Sequence, residues 1–234
     1  MRRAAVCPEQ ARRGWQRRYR CLPRAQPGPE RSGGTRPDPC RFLSAAPHPF
    51  AVTLTPEPPQ EIHRVVLLGF MAAGKTAVGA ELARRLGWTH LDLDELIEAR
   101  EGRRIAEIFA ADGEARFREM EEEATRDVAS MRGVVLTPGG GWITRPGNLE
   151  ALGTGTLSVW LKVSAGEAVR RAGAAPGERP LLAGPDPLAA ARRLLERRTP
   201  LYARAALHVD TEGTPPDRVA QIIEAEVLAR RGPQ

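Results

Sequence analysis

The chain has 234 residues and a net charge of +6, but residues 1–60 hold eleven arginines against Glu9, Glu30, Asp38 and Glu57, so the excess belongs to that segment and the rest is close to neutral. No apolar run approaches the roughly 20 residues of a membrane helix or forms a secretory core, which predicts a soluble, cytoplasmic protein with no membrane partner. Cys7, Cys21 and Cys40 all precede residue 61, which excludes thiol catalysis and disulfides from the remainder.

Residues 1–60 are crowded with Pro, Gly and Arg and show no sustained hydrophobic period. Such a segment is expected to be disordered, because it cannot bury enough surface to order itself. Four readings of it stay open. It is a solvated extension, or upstream sequence included by a mis-assigned start, with the true start near Val52 or Leu54. Alternatively it is an Arg-rich transit peptide, although Ser32 and Ser44 are its only serines, or a nucleic-acid-binding arm.

From residue 61 to 234 short β-rich runs alternate with helical stretches, which predicts a single α/β domain with a parallel sheet. Ile62 to Leu68 reads as a first buried strand. It runs into Gly69-Phe70-Met71-Ala72-Ala73-Gly74-Lys75-Thr76, which fits G-x-x-x-x-G-K-[ST]. In such a loop backbone N–H groups wrap phosphates while the lysine reaches the β and γ oxygens. Lys75 is one of only two lysines in the chain, the other being Lys162. A random chain of this length shows the octet roughly once in a hundred, so context matters. Ala77 to Leu86 reads as a helix with Val78, Leu82 and Leu86 on one face. Strand, glycine-rich turn and helix N-terminus together converge donors and dipole on an anion. The expected nucleotide contacts are Ala72, Ala73, Gly74, Lys75, Thr76 and Ala77.

Trp88 to Asp92 reads as a second strand, followed by short helices over Glu95 to Arg100 and Ile105 to Ala111. A long charged helix opens at Gly113 and runs to about Met131. Val134 to Thr137 is a third strand, Asn148 to Leu152 a helical turn, and Thr156 to Val163 a fourth strand. A helix over Glu167 to Arg171 leads to a Gly/Pro-rich loop, Gly173 to Pro187, long enough to act as a lid. A helix over Leu188 to Arg198, a fifth strand at Leu207 to Asp210 and a helix from about Asp217 to Arg230 complete the chain.

Two further features carry chemistry. Asp92 and Asp94 stand at the C-terminal end of the second strand, where ligands of open parallel sheets sit. The structural alternative is that one of them caps the next helix, a task Asp94 is able to combine with another. Gly139-Gly140-Gly141 follows the third strand and admits a ligand to main-chain N–H groups that any side chain would block. Read as structure alone, the triplet is a loose turn.

Across residues 62–230 the sequence resembles the shikimate kinase family. The resemblance is carried by the Gly69–Thr76 loop with Val78-Gly79, by Leu91-Asp92-Leu93-Asp94 and by Gly113-Glu114-Ala115-Arg116-Phe117-Arg118. It continues in Gly139-Gly140-Gly141, Arg179-Pro180-Leu181-Leu182 and Arg198-Thr199-Pro200-Leu201-Tyr202. It implies a P-loop fold like that of nucleoside monophosphate kinases, three layers (α/β/α) around a five-stranded parallel sheet. It also implies ATP- and Mg²⁺-dependent phosphorylation of the 3-hydroxyl of shikimate, by a monomer without nucleic-acid partners.

By the same resemblance Arg118 and Arg198 bind the shikimate carboxylate, and planar guanidinium groups suit that task. Asp94 orients the hydroxyl nucleophile and takes its proton, with Gly139, Gly140 and Gly141 completing the cradle. Lys75 and the lid residue Arg179 stabilise charge on the transferring group, Thr76 ligates Mg²⁺, and Asp92 holds it through water. Phe109 and Phe117 either wall the ring or belong to the core. The chain departs from the family at Ala72, where a third loop glycine is usual, and alanine at positive φ costs about a kcal/mol or more. It departs again between Arg171 and Arg179, so an adenine contact by Arg171 is only a weak expectation. The rival readings are another small-molecule kinase of this fold, such as a gluconate kinase, and a catalytically silent relative.

Overall fold

A computed structural model describes residues 61–174 and 185–231. The readings of residues 1–60, and the expected lid role of Arg179, lie outside the described residues. Strand β1 (Arg64–Gly69) is buried at every position. The unbroken run Val65-Val66-Leu67-Leu68 is what a strand covered on both faces requires. It is joined by β2 (Thr89–Asp92), β3 (Val134–Thr137), β4 (Thr156–Lys162) and β5 (Leu207–Asp210). All pairs are parallel, in the order β2-β3-β1-β4-β5.

Parallel neighbours need crossovers, and helices supply them. They are α1 (Lys75–Leu86), α2 (Leu93–Glu101), α3 (Ile105–Ala129), α4 (Asn148–Ala151), α5 (Ala165–Ala174) and α6 (Pro187–Tyr202), and α7 (Pro216–Arg231) follows the last strand. Helix α1 packs on α7, α2 on α3, and α5 on α6, which gives the expected three-layer arrangement. After β1 the chain crosses to β2 on one side; after β3 it crosses to β4 on the other. The loops following β1 and β3 therefore flank a crevice at the C-terminal edge of the sheet, where such folds take their ligands. At the opposite edge the buried Arg64 donates to the carbonyls of Met131 and Leu152 at 2.6 and 2.5 Å, and to Thr156 Oγ1 at 3.1 Å. That guanidinium ties three segments together far from the crevice.

Most element boundaries agree with the sequence to within two residues, and the differences have physical causes. Helix α6 does not stop at Arg198 but continues through Pro200 to Tyr202. A proline this late forfeits a single backbone bond to the Glu196 carbonyl. Burial of Tyr202, whose hydroxyl donates to the Gly140 carbonyl at 2.7 Å, offsets that loss. The two helices expected on either side of Gly113 form one run, α3, broken only at that glycine, with φ 78° and ψ 174°. The cap of α2 is Asp92 rather than Asp94: Asp92 Oδ1 accepts from Asp94 N at 3.1 Å. The helix thus begins at Leu93, earlier than the sequence suggested. A short 3₁₀ turn at Trp142–Thr144 was not anticipated; it buries Trp142, whose Nε1 donates to Thr125 Oγ1 at 2.9 Å. Among the described residues no helix is long and apolar enough to cross a membrane.

Candidate active site

The loop between β1 and α1 folds over the N-terminus of α1, with Gly74 at φ 89°. Lys75 turns back over the loop, its Nζ donating to the carbonyls of Gly69 and Phe70 at 3.1 and 3.2 Å. Ala72 has φ 57° and is the only non-glycine residue at positive φ among the described residues. The methyl group thus sits in the left-handed region, a strain of about 1–2 kcal/mol held in the phosphate-binding turn.

Beside the loop, an oxygen-lined corner forms at the ends of β2 and β3. Asp92 and Thr137 are register partners there. Thr76 Oγ1 and Thr137 Oγ1 each lie 3.2 Å from Asp92 Oδ2, and His90 Nε2 lies 2.9 Å from Thr137 Oγ1. Lys75, Thr76, Asp92, Asp94, Thr137 and Gly140 line one shared cavity of about 400 Å³.

Gly139 and Gly140 also line that cavity, and the glycine triplet carries on from them away from the phosphate loop. A Cβ at Gly139 would lie 3.3 Å from both Asp94 carboxylate oxygens. One at Gly140 would lie 3.5 Å from Arg198 Nη1, and one at Gly141 only 2.8 Å from Arg118 Nη2. Each glycine thus lies against a different charged side chain, delivered by α2, α6 and α3 in turn, and at Gly141 a Cβ would not fit without a shift. Asp94, Arg118 and Arg198 are brought together on one turn beside the phosphate loop.

The electrostatics of this cluster are unusual. Asp94 Oδ1 is buried with no hydrogen-bond partner. Burial, with Asp92 adding, pushes the Asp94 carboxyl up to about 6, against the pull of Lys75 and Arg118. Arg118 donates from Nη1 to Glu121 Oε2 at 2.6 Å, and from Nη2 and Nε to Glu114 Oε1 at 2.9 and 3.3 Å. Glu121 is only 1% exposed, and burial pushes its carboxyl up to about 7.

A second cavity, of about 310 Å³, opens on the other side of the loop and shares Ala72 and Gly74 with the first. Arg171, Thr211, Pro216 and Val219 line it. Arg171 Nη2 donates to the Thr211 carbonyl at 2.8 Å and its Nη1 lies 3.4 Å from the Ala72 carbonyl.

Sequence reasoning overlooked several residues here. Glu121 stands three residues past Arg118 on one helix face, a spacing that signals a pair. Thr137 ends a strand beside the glycines, and Tyr202 lay in a quoted motif without a role. Thr211 and Pro216 carried no signal at all. The two phenylalanines divide: Phe117 is core, while Phe109 is 38% exposed, their ring centroids 4.7 Å apart.

A family model described as shikimate kinase matches residues 71–227. The chain belongs to the shikimate kinase family. It is 45% identical over 165 residues to the shikimate kinase of Moorella thermoacetica, covering 70% of this chain and 94% of that relative. Identity to the Mycobacterium avium shikimate kinase is 47% over 167 residues, covering 71% of this chain and 94% of that protein. Among solved structures, the shikimate kinase from Acinetobacter baumannii in complex with shikimate is similar, with a TM-score of 0.67 and 33% identity. That match covers 74% of this chain and 97% of the other. With the family comes the enzyme class, a P-loop kinase that uses a nucleotide.

Proposed function

We propose that the protein transfers the γ-phosphoryl group of ATP to the 3-hydroxyl of shikimate, giving shikimate 3-phosphate and ADP, within aromatic amino-acid biosynthesis. The observation that carries this reading is the convergence of Asp94, Arg118 and Arg198 on one glycine turn beside the phosphate loop. A small acidic polyol needs that combination: cations for its carboxylate and an acceptor for its hydroxyls.

Lys75, drawn back over the loop carbonyls, turns to the β and γ oxygens of the nucleotide and neutralises them. Arg118 and Arg198 hold the carboxylate, which fixes the ring's orientation. Asp94 accepts the attacking hydroxyl's hydrogen bond on its unpartnered oxygen and takes the proton as the oxygen attacks. A carboxyl at about 6 suits a base that must be ionised at neutral pH yet retain proton affinity. The hard, all-oxygen pair of Thr76 and Asp92, 3.2 Å apart, fits Mg²⁺. When bound, that ion offsets phosphate charge. The second cavity is the natural seat for the base, with Arg171 and Pro216 on its walls. By its motif, Arg179 supplies positive charge to the transferring group.

The test is a coupled ADP-release assay. ADP should form only when shikimate and ATP are both present, and release independent of shikimate overturns the reading. Lys75→Met should fold normally and lose at least about 100-fold in kcat. Arg118→Ala should raise KM for shikimate far more than for ATP; equal effects would put Arg118 elsewhere.

A further inference from the structure

Among the described residues Glu121 is the only fully buried acid, and the chemistry above does not use it. Its Oε2 accepts from Arg118, but its Oε1 is buried with no hydrogen-bond partner. An ionised carboxylate there leaves one buried oxygen without a donor, which is costly; a proton on that oxygen removes the charge and so the larger part of the cost.

The charges around Glu121 are unbalanced. Its own helix presents Arg118 and Glu114, and α2 presents Asp94. The loop after β3 presents Trp142, which is uncharged, and Arg145, which pairs with Glu122 instead. Arg118 is the cation whose charge acts most on Glu121. A single cation therefore holds Glu121 ionised. Of the five N–H groups of Arg118, Glu114 and Glu121 engage three, leaving one on each terminal nitrogen, the two atoms that lie against Gly141. A carboxylate taking those groups competes for the same positive charge.

We propose that Glu121 takes up one proton from solvent when the substrate's carboxylate seats on Arg118, so that the incoming anion brings its own compensating charge. Glu121 acts as a positioning residue, touching Arg118 and not the substrate. The proposal rests on the shikimate reading. Burial already pushes the Glu121 carboxyl up to about 7, and a further anion raises it more. Affinity should fall by up to about tenfold per pH unit as pH rises above about 7.

Titration calorimetry of the full chain with shikimate, at about pH 7.5 in two buffers of different ionisation enthalpy, reads this directly. The expected result is uptake of about half a proton or more per shikimate bound. Wild-type enthalpies independent of buffer overturn the proposal. Glu121→Gln keeps an acceptor for Arg118 but cannot titrate, so it should bind shikimate without proton uptake; uptake that survives in it also overturns the proposal. Should that variant not fold, the wild-type pH profile decides, since affinity constant from about pH 7 to about pH 9 excludes the linkage. Absence of any shikimate binding sinks the substrate reading itself and this proposal with it, which separates the two failures.

Discussion

Asp94 is placed where a carboxylate is least comfortable, with one oxygen buried and unpartnered and Asp92 two residues away. Its carboxyl is at about 6, above the roughly 3.9 of an unfolded chain. The sign follows: the fold binds this proton more tightly, so the contribution is present below about pH 4 and lost as pH rises through about 6. Asp94→Asn escapes that loss. Thermal melts should show the variant gaining on the wild type between about pH 4 and pH 6, by an amount on the order of 2 kcal/mol, while phosphoryl transfer falls by about 100-fold or more. A stability difference that ignores pH would mean the carboxyl is not raised. Ala72 stores strain of a different kind, in the backbone. Replacing it with glycine relieves the left-handed conformation but adds freedom to the unfolded chain. A net gain of up to about 1 kcal/mol in denaturant unfolding is expected, and a loss of that size would remove the strain argument.

At the scale of elements, β1 and β3 were legible because the apolar runs within them are unbroken. Val65 to Leu68 and Val134 to Leu136 could only be covered strands, and the loops after them are the two that matter. The phosphate loop and the acidic pair were equally visible. What stayed hidden was how helices far apart in sequence meet on the glycine triplet. Nothing in the spacing of residues 94, 118 and 198 says that α2, α3 and α6 deliver them to consecutive glycines. Tyr202 was hidden for a related reason, since Pro200 suggested a helix end that tertiary burial overrides. The triplet itself can be tested. Gly141 has φ −88°, which alanine adopts freely, so its role is close approach and not backbone freedom. The three atoms nearest the added methyl would all belong to the Arg118 guanidinium, a side-chain end and not backbone, the closest at 2.8 Å. Gly141→Ala should therefore stay within about 1 kcal/mol of wild-type stability, while KM for shikimate rises about tenfold or more and KM for ATP does not. A parallel rise in both constants would show that the turn as a whole had moved.

For the whole molecule, the question is which part of the chain the fold requires. The family model begins at residue 71, and 70% of this chain accounts for 94% of the Moorella relative. The five strands and the site they position all lie after residue 61. The excess positive charge, by contrast, lies before it. Charge of that density attracts polyanions in a salt-dependent way without contributing to a core. A chain beginning at Glu61 should therefore melt within about 2 °C of the full-length protein and keep its kcat and both KM values within about twofold. It should also lose whatever salt-sensitive retention on an anionic matrix the full chain shows. The informative failure is a truncated protein that folds equally well but binds ATP or shikimate markedly less tightly. That result would place part of residues 1–60 over one of the two cavities beside the phosphate loop, and would make the segment part of the enzyme.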